Sequence, residues 1–63
     1  MAVNYQLGDT IKYRCEGYIE DKLAVVESVL PNACIGVITL PQYSVPLRAL
    51  IRNEDIVEVV KPN

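Results

Sequence analysis

The side chains of this chain best suited to chemistry are two cysteines, Cys15 and Cys34, and two adjacent carboxylate pairs, Glu20–Asp21 and Glu54–Asp55. A thiol becomes a nucleophile when a neighbouring base takes its proton, and histidine is the usual base near neutral pH. The chain has no histidine. Paired carboxylates do acid–base work when an apolar cleft pushes their pKa values apart, and 63 residues leave little room for such a cleft. Both pairs therefore read as solvated turn residues, and the cysteines as small buried hydrophobes. The expectation is a protein that is not an enzyme. Its remote alternative is an oligomeric enzyme with a pocket on the symmetry axis. The cysteines are too far apart for a local Cys-x-x-Cys pair, so no metal and no cofactor are expected.

Binding is the better-furnished class. Four tyrosines are the only aromatics. Tyr13 shares a strand face with Ile11 and is expected in the core. Tyr18 and Tyr43 fall in loops, where aromatic side chains serve recognition. Lys12, Arg14, Arg48 and Arg52 could form a modest basic face for RNA or DNA through phosphate pairing and stacking. The alternative is that they are solubilising charges paired with Glu27 or Glu58. Six Lys and Arg stand against eight Asp and Glu, a net charge of −2. That acidic balance disfavours nucleic acid, whose binders draw most of their affinity from phosphate contacts.

These residues need elements to position them, and the pattern supplies five short strands. Residues 1–7 read as an N-terminal tail and 8–61 as one domain. Thr10–Cys15 alternates Ile11, Tyr13 and Cys15 against Thr10, Lys12 and Arg14, as a half-buried strand does. Residues 16–21 read as a loop. Lys22–Val29 is rich in β-branched residues and reads as a strand over the competing short helix; the turn Leu30–Pro31–Asn32–Ala33 joins it to the nearly all-apolar run Ala33–Leu40. Gly36, inside the second of these, predicts a bend, a bulge or a close backbone approach. Val45–Ile51 is a fourth strand with Pro46 at its start, and Ile56–Val60 is the last, after a polar turn with one turn of 3₁₀ helix. The fold class this predicts is all-β: a five-stranded SH3-like small barrel. No helix for an OB fold is visible.

A domain this small needs help to be stable, and oligomerisation is one remedy. Leu50 falls on the polar side of its strand. Val57 and Val59 alternate with Ile56, Glu58 and Val60, leaving both faces of the last strand mostly apolar. Surplus apolar surface marks an interface, so Leu50, Val57 and Val59 are candidates for self-association, with a homodimer expected. No apolar run approaches the ~20 residues needed to span a bilayer, and Met1-Ala-Val-Asn lacks the basic start of a signal peptide. The expected location is cytoplasmic, with reduced thiols.

The opening Gly8-Asp9-Thr10-Ile11-Lys12-Tyr13 resembles the start of KOW-type and related SH3-like barrels. With Val25-Val26, Asn32 at the hairpin turn and Tyr43 after the third strand, residues 8–60 resemble the YkvS-like group of short proteins from Gram-positive bacteria and their phages. Ala24 departs from the Gly common at that place in KOW motifs. The resemblance implies the barrel and, on the KOW side, nucleic-acid contact; it implies no chemistry. The leading expectation is a non-enzymatic interaction module that self-associates and binds a protein partner. A weak RNA- or DNA-binding barrel is the alternative.

Overall fold

The computed structural model describes residues 4–38 and 45–60. Five strands follow one another: β1 (Thr10–Tyr13), β2 (Lys22–Val29), β3 (Ala33–Ile38), β4 (Leu47–Arg52) and β5 (Ile56–Val60), with one 3₁₀ turn, η1 (Asn53–Asp55), before β5. They form one antiparallel sheet in the order β4-β3-β2-β1-β5. The protein is thus all-β and barrel-like, but the ladder does not close between β4 and β5.

Local chemistry sets the strand ends. β1 stops at Tyr13, two residues short of the expected Cys15, because the Arg14 N–H leaves the ladder and donates to the Asp55 carbonyl at 2.9 Å. A turn follows, with Tyr18 N–H donating to the Cys15 carbonyl. Gly17 sits there at φ +94°, a conformation other residues rarely adopt. β4 begins at Leu47 rather than Val45, since Pro46 has no N–H for a ladder. The β2–β3 hairpin closes through Leu30 N–H to the Ala33 carbonyl at 2.9 Å.

Two bulges reset the inward and outward alternation. In β2 the register with β3 shifts between Val26 and Ser28, so Glu27 is the extra residue. In β5 the register with β1 shifts as Ile56 pairs with Tyr13 and Glu58 with Lys12, leaving Val57 extra. A bulge puts two residues opposite one. It therefore lets Ile56 and Val59, three apart, both turn inward: Ile56 is buried and Val59 packs against the core. This corrects the alternation expected for β5, in which Val57 and Val59 shared a face.

The core is Ile11, Tyr13, Ala24, Val26, Cys34, Ile51 and Ile56. Tyr13 is in it, as expected. Burial pushes the phenols of Tyr5 and Tyr13 and the thiol of Cys34 above their ordinary pKa values. Tyr5 lies in the stretch expected as a tail, yet it packs against the core. Its hydroxyl lies 2.6 Å from Asn53 Oδ1 and 3.0 Å from the Ala33 carbonyl oxygen, two acceptors for its single proton.

Candidate functional site

Residues paired across an antiparallel ladder point to the same side, so the register defines an outer face. Ile11, Val26, Cys34 and Ile51 point inward. Their neighbours Thr10, Lys12, Leu23, Val25, Ile35, Val37, Arg48 and Leu50 therefore point outward. On β2, β3 and β4 this outer side is mostly aliphatic. Leu50 is 63% exposed, Leu23 55% and Val25 44%, with Ile35 and Val37 half-buried between them. Val60 joins at the far flank, across Thr10.

Leu50 is thus placed as expected, on the outer face opposite Ile35. Val57 is exposed at its bulge, on the β5 edge, away from Leu50. Val59 turns toward the core and offers no outer surface of that kind.

Each of the four basic residues holds a carboxylate. Lys12 Nζ lies 3.9 Å from Glu58, Arg14 Nε 2.6 Å from Asp21, and Arg48 Nε 2.9 Å from Glu27. Arg52 reaches both Glu54 at 3.2 Å and Asp55 at 3.4 Å. These contacts hold the guanidiniums of Arg48 and Arg52 above their ordinary pKa: hydrogen bonding and charge from Glu27 for the first, the charges of Asp55 and Glu54 for the second. The four cations do not converge. Two strands separate Lys12 from Arg48, up to about 14 Å at the usual strand spacing. Arg52 lies four residues along β4 from Arg48, and Arg14 lies beyond the end of β1.

Tyr18 is exposed in the β1–β2 loop, with Lys22 Nζ 4.9 Å from its ring centre. Beside it is a hollow of about 120 Å³ lined by Tyr13, Cys15, Tyr18, Glu20 and Lys22. That is far below the several hundred Å³ of a small-molecule site. Tyr43 lies outside the described residues. Both described cysteines are free thiols, Cys15 half-buried and Cys34 fully buried. Among the described residues no cluster of three or more His, Cys, Asp or Glu side chains could hold a metal, and no helix is long and apolar enough to cross a membrane.

Sequence reasoning did not single out Leu23, Val25, Ile35 and Val37. The signal was present: both parities of β2 and β3 carry aliphatic residues. The structure covers one of those two sides and leaves the other open. Compared with known proteins, the chain matches no family model, no curated protein and no solved structure.

Proposed function

We propose that this chain is a non-enzymatic interaction module that binds protein through the outer face of β2, β3 and β4. The observation that carries the reading is that face itself, with Leu23 and Val25 on β2 and Leu50 on β4 each at least 44% exposed, flanking Ile35 and Val37 on β3. Aliphatic surface gathered on one side of a sheet is what a protein partner covers. Protein is favoured over nucleic acid because Lys12, Arg14, Arg48 and Arg52 each already hold a carboxylate and lie apart. A phosphate backbone would have to displace those carboxylates at each contact.

The test is in-cell photo-crosslinking with a photoreactive residue at position 50, on the face, and at position 16, in the β1–β2 loop. Protein adducts at 50 and none at 16 are expected. Adducts to nucleic acid, or none at 50, would sink the reading.

A further inference from the structure

We propose that the occupant of the outer β2–β3–β4 face is a second copy of this chain, docked face to face about a two-fold axis that runs along β3. The inference rests on reading that face as the protein-binding surface.

The argument is charge complementarity. Among the described residues, the ion pair that reaches across this face from β4 to β2 is Arg48–Glu27. Arg48 stands on β4, opposite Val37 on β3, and Glu27 is the bulged residue of β2. The pair thus straddles β3, with Arg48 Nε 2.9 and 3.1 Å from the two carboxylate oxygens. A cation on one side of an axis and an anion on the other match their own two-fold image. The half-turn lays β2 of each copy over β4 of the other, so Arg48 meets Glu27 of the second copy, and the reverse. The same operation sets Ile35 and Val37 against their own images and lays Val25 of one copy over the aliphatic stem of Arg48 of the other, since the two are level across Val37. Alternation turns Glu27 outward beside the buried Val26, and the bulge there brings Ser28 to the same side, opposite Ile35.

Size sets the strength. Three strands about 4.8 Å apart, each contributing about six residues of about 3.3 Å rise, give a footprint of roughly 15 × 20 Å. That belongs with small, transient interfaces rather than obligate ones. The expected dimer is therefore concentration-dependent, with a Kd on the order of micromolar or weaker.

Sedimentation equilibrium from about 1 μM to about 1 mM spans that range. The wild-type chain should pass from monomer to dimer, and Val25→Lys should stay monomeric while Ile19→Lys, in the exposed β1–β2 loop, dimerises as wild type. A charge exchange tests the two-fold arrangement with surface residues alone. Glu27→Arg carries two cations at the centre of the face and Arg48→Glu two anions. Each alone should be monomeric, with native amide spectra, and an equimolar mixture should dimerise.

A wild-type monomer throughout the range would overturn the proposal, as would a dimer that survives Val25→Lys and both charge variants. The latter would point to pairing at the free β4 edge. A monomer that still gives adducts of foreign mass at position 50 in cells would overturn the second copy and leave the protein-binding reading standing. Absence of any protein adduct there would sink both.

Discussion

The side chain of Ala24 on β2 fills the space that a side chain at Gly36 on β3 would need. A Cβ placed on Gly36 would lie 2.8 Å from Ala24 Cβ and 2.8 Å from Ile51 Cδ1. Backbone freedom is not the reason for this glycine, since its φ lies outside the positive range. The reason is room: Ala24 and Ile51 meet over it in the core. The Ile51 methyl ends a flexible side chain and can move, whereas the Ala24 methyl moves only with its strand.

Gly36→Ala should therefore destabilise by about 1–3 kcal/mol, as overpacking does. Adding Ala24→Gly should recover part of that loss, because the second change vacates the contested space. Urea unfolding of the wild type, both single variants and the double variant measures the coupling. Simple additivity would contradict the steric account.

Tyr5→Phe keeps the ring against the core and removes the hydroxyl shared by Asn53 and Ala33. The expected cost is about 0.5–1.5 kcal/mol, a fall in Tm of roughly 4–8 °C per kcal/mol for a domain of this size. Thermal unfolding by circular dichroism checks it. An unchanged Tm would mean that Tyr5 is not docked in solution.

Alkaline pH should weaken the fold. Burial raises Tyr5, Tyr13 and Cys34 above their ordinary values of 10.0, 10.0 and 9.0, the charge of Cys15 adding to the effect on Tyr13. For Cys34 the hydrogen bond with Tyr5 works in the opposite direction and does not cancel burial. Above the unfolded pKa of each group the unfolded chain binds fewer protons than the folded one, so stability falls with rising pH. It should be fully present below about pH 8.5 and decline from there through the folded values. Urea midpoints between neutral pH and pH 10.5 should drop, and Tyr5→Phe should flatten the slope.

The two thiols should separate in alkylation. Cys15 is half-buried and Cys34 has no exposed surface. Only the thiolate reacts, and burial holds Cys34 protonated. Iodoacetamide at pH 8 should give one adduct, on Cys15, with Cys34 reacting roughly tenfold or more slowly, as buried groups wait for opening. Mass spectrometry of a time course reads both. Equal rates would show that the core around Cys34 opens freely.

RNA should leave the amides of residues 12–14 and 48–52 unmoved in a low-salt titration, because the cations there hold carboxylates. Localised shifts that vanish with added salt would transfer the reading to the nucleic-acid alternative.

Much of this was legible in the residues. Strict alternation in Thr10–Tyr13 marked the inward Ile11 and Tyr13, and the Leu30–Asn32 turn gave the hairpin. Gly36 suggested a bend, a bulge or a passing backbone, whereas what crowds it is two side chains, those of Ala24 and Ile51. The bulges were not legible, because an extra residue at Glu27 or Val57 looks locally like continued strand and only the partner's register exposes it. That is why Val57 and Val59, expected on one face, lie on different ones. The docking of Tyr5 depends on Asn53, 48 positions away, which no local pattern reports. For the basic residues, Glu27 and Glu58 were named as partners without saying which cation each holds; the structure gives Arg48 to Glu27 and Lys12 to Glu58, and the pairing of Arg14 with Asp21 follows from a loop conformation the sequence does not specify.

The contacts of Tyr5 also bear on the order in which the protein can be made. Tyr5 is met by Ala33 and Asn53, and Asn53 in turn donates its N–H to the Asn32 carbonyl at 3.0 Å. β1 likewise has β5 as a neighbour, with Ile11 beside Val59. A chain emerging from the ribosome can form the β2–β3 hairpin early, but this corner waits until residues 53–60 have cleared the exit tunnel. During synthesis Tyr5 and one edge of β1 stay uncovered, so the nascent chain displays a surface that the finished protein conceals.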